Sequence, residues 1–399
     1  MLAKLKSLGP GLLYAGAAIG VSHLVQSTRA GAEYGYMLIL AIILAHVFKY
    51  PFFALGPKYA SESGESLVAG YARLGKGTIL LLGFITLSTM FTVQAAVTIV
   101  TAGLVQKMTG WSFSAPWISA FLLVLCFLIL RIGKFNVLDN LMKVIMIILS
   151  ISTVLAFLFS FQVDKVVVEN SMQVFNLKSE KDMSFLLAFV GWMPAPMDIA
   201  IWHSIWTISS PSKKSSLFDF RIGFYGTALL GICFLVLGAN TLYGTGVELQ
   251  SSAVGFASQL VDVFTVSLGS WSYWPIMVAA FTTMFSTTLT CYDALPRVMA
   301  HIGLELKSTK ASNTTLWRIV LGMGALLILF FFVSNMREMV NFATIISFLT
   351  APILALLSYG LVLFRNEELK LWSIWQKNLA LVGIVLLFLF SIRYLMLIL

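Results

Sequence analysis

The residues of this chain that could do chemistry sit in otherwise apolar surroundings. Asp198 follows Gly191-Trp192-Met193-Pro194-Ala195-Pro196-Met197 and opens the segment IAIWHSIW. An acid in such a setting is expensive and functional by default. A carboxylate at a helix N-terminus also gains from the helix dipole, so capping is its plainer use. His23 closes Gly20-Val21-Ser22-His23. Its imidazole suits a transition metal or a proton, or it could bond backbone freed at a break. Met193 and Met197 bracket the two prolines; a thioether is a soft ligand and equally a gap-filler. His203 lies five residues past Asp198, rotated by about 140° on a helix. That suits a proton or water route better than shared coordination. Arg29 either snorkels to the surface or pairs with an acid near it. His46 and Lys49 fall mid-segment, and Lys49 should snorkel or find an acid, with Asp293 and Asp139 as candidates. Asp293 and Arg297, spaced i,i+4, can pair with each other. The run Ser286-Thr287-Thr288-Leu289-Thr290 reads as hydroxyls bonding backbone or neighbouring helices.

The elements that must hold these residues are membrane helices. Of 399 residues, 59% are hydrophobic and 11% charged, against about 25% charged in a soluble domain. The mean hydropathy is +0.92. A bilayer-spanning helix needs about 20 apolar residues. The sequence supplies eleven such spans, at about 10–34, 37–60, 78–106, 114–131, 138–162, 183–209, 219–243, 272–300, 315–334, 339–364 and 376–398. The net charge of +9 resides in short loops, so it signals orientation rather than nucleic-acid binding. Lys4/Lys6, Arg73/Lys76, Arg131/Lys134, Lys213/Lys214/Arg221, Lys307/Lys310/Arg318 and Arg365/Lys370 share one side. The loop 244–271 on the other side has Glu248 and Asp262 but no Lys or Arg, while 163–182 is mixed, with Glu169 among its acids. The bias places the N-terminus in the cytoplasm and the C-terminus outside, in a prokaryotic cytoplasmic membrane. Cys126, Cys233 and Cys291 lie in apolar segments without metal-ligand or disulfide spacing.

Two spans are interrupted. The first breaks at Gly20-Val21-Ser22-His23 and the sixth at Gly191–Asp198, where two prolines cannot both keep a regular helix. Broken backbone inside a bilayer must find partners in protein or in a watery cavity. The breaks lie five spans apart, so the second half enters from the opposite side. That is an inverted repeat, about 10–162 and 183–364, with the span at 376–398 outside it and one transmembrane domain over 1–399. Paired interruptions of this kind point to a substrate site in a secondary transporter. GESLVAGYARLGKG has no GK[ST] ending and is no phosphate loop, and no catalytic triad is visible. The chain is therefore read as no enzyme, with no cofactor and no obligate protein partner; the driving energy is a gradient. A receptor or scaffold does not account for two breaks.

GPGLLYAG, RAGAEYGY and KYASESGESL resemble the opening of Nramp-type (natural resistance-associated macrophage protein) divalent metal transporters. Trp202-His203-Ser204, Ser286–Met299 and Ala343–Pro352 resemble their sixth, eighth and tenth spans. The resemblance covers nearly the whole chain. It implies an all-α, leucine-transporter-like fold with two inverted five-helix repeats, an eleventh helix and alternating access. The family's DPGN falls on Gly20-Val21-Ser22-His23, so Gly20 stands for its metal-binding Asp and His23 for its Asn. Anchoring on His203-Ser204 puts Pro196 at the metal-binding Met and Asp198 at the His of MPH, and the span-10 Gln corresponds to Thr344. The third span lacks the family's acids, with Gln94 as the polar residue left there.

The leading expectation is a secondary transporter of an Mn- or Fe-like divalent cation. Asp198 would supply the carboxylate, with His23, Met193 or Met197 and backbone carbonyls beside it. Substrate contact is expected from Gly20, His23, Met193, Met197, Asp198 and Thr344, and proton handling or gating from His203, Arg29 and Asp198. Proton coupling is left open. The alternative is transport of Mg²⁺ or of a small organic solute, an amino acid or amine.

Overall fold

The computed structural model describes residues 10–132, 135–165, 167–168, 172–210, 217–332 and 336–398. Lys4, Lys6, Lys134, Glu169, Lys213, Lys214 and the side chain of Asp139 lie outside the described residues. Among those described, every regular element is helical. The first span comprises α1 (Pro10–Ala18), a π-helical segment Val21–Ser27 and α2 (Thr28–Tyr34). It is followed by α3 (Ile39–Ser63), the short α4 (Leu67–Ala72), α5 (Lys76–Thr109), α6 (Ala115–Ile132) and α7 (Phe135–Ser160). The second half has the broken pair α8 (Glu180–Gly191) and α9 (Ile199–Ser209), then α10 (Leu217–Thr241) and α11 (Ala253–Leu268). It closes with α12 (Tyr273–Glu305), α13 (Thr314–Phe331), α14 (Met336–Leu369) and α15 (Ile374–Ile398). Seven of these helices are long and apolar enough to cross a membrane. All eleven expected spans map onto helices, the first and sixth onto broken ones.

The segment 244–271, read from sequence as a loop, instead contains α11. Ser252 caps it by accepting from the Gly255 amide. Its buried stripe of Ala253, Phe256, Ala257, Leu260, Val261 and Phe264 has helical spacing and packs on α5. Sixteen residues fall short of a span, so a reading by apolar length passes over it.

The core is built around the two broken spans. α5 packs on α12 and α14, α10 on both pieces of the first span, and α9 on α3. α2 and α10 meet backbone to backbone. A Cβ at Gly31 would strike the Leu235 carbonyl, and one at Gly238 the Thr28 carbonyl. Small residues permit such approach between membrane helices, where dispersion between close surfaces drives association.

Candidate functional site

At the first break, neutral groups within the protein hold the freed backbone. Ser22 Oγ donates to the Ala18 carbonyl at 2.6 Å and lies 2.7 Å from His23 Nδ1. On the other side of the ring, His23 Nε2–H donates to the Thr227 carbonyl of α10 at 3.0 Å. The Gly20 carbonyl accepts from the His23 and Leu24 amides. Thr287 of α12 donates to the Gly16 carbonyl at 3.1 Å and reaches that of Ile19 at 3.4 Å. A Cβ at Gly20 would lie 2.6 Å from Thr287 Oγ1, so the close helix approach requires glycine there. His23 is fully buried and spends both nitrogens on the break and on α10.

The second break is held by a charge. Lys49, 2% exposed on α3, donates to the carbonyls of Val190 at 2.7 Å, Met193 at 3.0 Å and Gly191 at 3.4 Å. Its three N–H groups thus meet three acceptors, at the negative end of the α8 dipole. This corrects the expected acid partner: Asp293 is engaged elsewhere, and the carbonyls exposed by the break do the work. They are therefore not free for a substrate. Met193, whose sulfur would lie 3.5 Å from a Cβ at Gly231, shares that α10 surface with the His23 ring.

Two small cavities flank α9. The central one, about 20 Å³, touches both breaks and is lined by Ala17, Ala18, Val21, Ser22, Val93, Val97, Trp192, Pro196, Ile199, Trp202, Thr287 and Cys291. The other, about 10 Å³, lies between α5, α9 and α14. It is lined by Asp198 and Met197 with Thr86, Thr89, Ser347 and Thr350 and three aliphatic side chains. Each has the space of roughly one water or one bare ion. Asp198 is the only acid lining either cavity. It occupies the N-cap position of α9, at the positive end of the half-helix dipole. Thr89 donates to the Ile85 carbonyl, Ser347 to that of Ala343 and Thr350 to that of Ser347. With their protons committed to their own helices, these hydroxyl oxygens remain acceptors, and acceptors beside a carboxylate suit a cation.

The structure thus brings Met197 and Asp198 to one cavity and sets His23 and Met193 against α10. Thr344 faces neither cavity: its hydroxyl donates to the Val340 and Asn341 carbonyls, and its own carbonyl abuts Gly191. Among the described residues His203 has no hydrogen-bond partner on either ring nitrogen; it stacks on Tyr14 at 5.8 Å, whose hydroxyl likewise has none among them. The Thr86/Thr89 and Ser347/Thr350 pairs were passed over. Their i,i+3 spacing within long apolar helices was the available signal.

Two clusters of ion pairs join the helices elsewhere. Arg29, 3% exposed, donates to Gln26 and to Asn341 of α14, contacts Glu33 at 3.5 Å and lies over the Phe185 ring. Arg337 of α14 reaches the same Glu33 at 3.1 Å. Of the two readings of Arg29, pairing is the one found. At the opposite end Asp293 accepts from Arg297 at 2.8 Å, Arg318 at 2.9 Å and Trp206 at 3.4 Å. The hydroxyl run on α12 bonds as expected, with Thr288 reaching Val97 and Thr101 of α5.

A bilayer protein interrupts two helices at its centre only where the freed backbone or the space beside it is needed for passage. With that arrangement the molecule is a secondary transporter. The chain belongs to the natural resistance-associated macrophage protein-like family, whose model matches residues 11–399. It is 34% identical to an uncharacterized protein of Pasteurella multocida (strain Pm70), over 98% of this chain and 92% of that one. Among solved structures it is similar to the Eremococcus coleocola manganese transporter in complex with an aromatic bis-isothiourea substituted compound. The TM-score is 0.70 at 14% identity, covering 98% of this chain and 85% of that one. It is also similar to MhsT in complex with L-phenylalanine, with TM-score 0.63 at 14% identity, covering 96% and 98%. At such identities the likeness is one of fold, and the fold is the leucine-transporter-like one.

Proposed function

We propose that this protein moves a divalent metal cation across the membrane by alternating access, with Asp198 as the carboxylate that receives it. The observation that carries the reading is Asp198 facing an ion-sized cavity whose other polar groups are hydroxyl oxygens. Carboxylate and hydroxyl oxygens suit Mn²⁺ and Mg²⁺, and the Met197 thioether on the same wall would extend the range toward Fe²⁺. Volume separates this reading from organic-solute transport. Pockets for drug-sized organic molecules measure about 300–1,000 Å³, far above the 20 Å³ and 10 Å³ beside the breaks. The loop charges place the Asp293 cluster toward the cytoplasm. The Arg29–Glu33–Arg337 cluster is then the outer closure, parting to admit the ion while the Asp293 cluster stays shut. His203 and Tyr14, buried without partners, are the polar groups through which a coupled proton would leave.

The test is uptake by proteoliposomes of Mn²⁺, Fe²⁺, Co²⁺ and Mg²⁺, with and without a pH gradient, beside Asp198→Asn. At least one ion should accumulate in the wild type and none in the variant. Uptake of none of the four overturns the reading, as does a variant as active as the parent.

A further inference from the structure

A cavity of about 490 Å³ lies away from the breaks, between α3, α10 and the start of α15. Its walls include His46, Tyr50, Arg221, Tyr225, Trp375 and Gln376, and no carboxylate lines it. Arg221 Nε–H donates to Tyr50 Oη at 3.2 Å, and the guanidinium makes no ion pair among the described residues. The acid nearest in sequence, Asp219, is buried and accepts from the Gly11 amide at 2.9 Å. A fixed positive charge therefore faces an open, acid-free space.

The surroundings say what fills it. α3 and α10 run antiparallel here, since Tyr50 meets Arg221 while His46 meets Thr227. Moving along both helices away from Arg221, exposed side chains become purely apolar: Val47, Leu44 and Leu40 on α3, and Leu229 on α10. Trp375 and Tyr225, 64% and 57% exposed, stand at the rim, as aromatic side chains do at the headgroup level. Polar at one end and apolar along its length, the groove matches an amphiphile with an anionic head. We propose that it binds an anionic phospholipid, the phosphate on Arg221 and the acyl chains along Val47, Leu44 and Leu229. Basic pockets between membrane helices hold such headgroups, and a guanidinium gives phosphate two parallel hydrogen bonds. The groove is also tied to the first break. His46, in its wall, lies 3.3 Å from Thr227 Oγ1, and the Thr227 carbonyl receives His23 of the first break.

Native mass spectrometry of the detergent-purified full chain tests this with phosphatidylglycerol and phosphatidylcholine of identical acyl chains. Phosphatidylglycerol should be retained about fivefold more, because both lipids carry the phosphate but the choline cation of phosphatidylcholine cancels its net charge beside Arg221. Arg221→Gln should erase the preference, and Lys310→Gln, on a loop outside the cavity, should keep it. Should Arg221→Gln not fold, Gln376→Leu tests the same wall and should weaken the preference. Equal retention of the two lipids overturns the proposal. So does a preference that survives Arg221→Gln, or thermal stabilisation by inorganic phosphate alone equal to that by phosphatidylglycerol.

Discussion

Both breaks free backbone groups in the middle of the bilayer, but they are held differently. At Gly20–His23 the partners of the loose carbonyls are hydroxyls, Ser22 on Ala18 and Thr287 on Gly16, while His23 ties the segment to the Thr227 carbonyl of α10. At Gly191–Asp198 the partner is an ammonium on another helix, and a carboxylate follows seven residues after Gly191. Neutral partners fix the backbone without shaping the electrostatic field. The buried Lys49–Asp198 region instead combines a cation already seated on the break with an acid on the far side of α9. On the proposed reading the first break is scaffold, and the second carries the charge that an ion would sense.

Substitutions can break or sharpen this contrast. The largest effect is expected from Asp198→Asn. Removing one partner of a buried charged contact costs about 2–5 kcal/mol, thirtyfold or more in uptake, whereas His23→Gln should change uptake by only a fewfold. Equal losses from the two variants would erase the distinction. Lys49→Met comes next. It takes the ammonium from three buried carbonyls, of which that of Val190 keeps the Met193 amide, and should lower stability by about 3 kcal/mol, read as a drop in Tm in detergent. Stability equal to wild type would mean that the second break also holds itself. Gly20→Ala should cost about 2 kcal/mol by overpacking, and Thr287→Ala in the same chain should restore much of it. No rescue would place the strain elsewhere. The smallest effect lies outside the bilayer, where Arg73 bonds Glu65 and holds its carboxyl below the ordinary carboxylate range. A depressed folded-state value stabilises above the unfolded pKa and is lost as pH falls through the folded one. Both groups are partly exposed, so Glu65→Gln should cost less than about 1 kcal/mol, and that cost should vanish in acid.

The spans and both breaks were legible because apolar length, glycine and proline are local signals, and an isolated acid in an apolar run is what marks Asp198 as a candidate. The direction of His23 was not. The segment Val21–Ser27 winds as a π-helix, which no regular period predicts, and this turns the ring to Thr227. Lys49 was assigned an acid because charge suggests charge, yet its acceptors are carbonyls that become free only when α8 ends at Gly191. The partners of Asp198 come from α5 and α14, more than a hundred residues away on either side, and hydroxyls in apolar helices usually bond their own backbone. They do so here too, and only the fold shows that their oxygens then face a carboxylate.

The glycine contacts between α2 and α10 constrain how the protein can move. With Gly31 seated on Leu235 and Gly238 on Thr28, neither helix can slide or roll without driving a methylene into a carbonyl. Opening on the Arg29 side must therefore swing the two as one stiff lever. Probes placed on α2 and α10 should keep a fixed separation through the whole transport cycle, while the distance from either helix to α14 alternates.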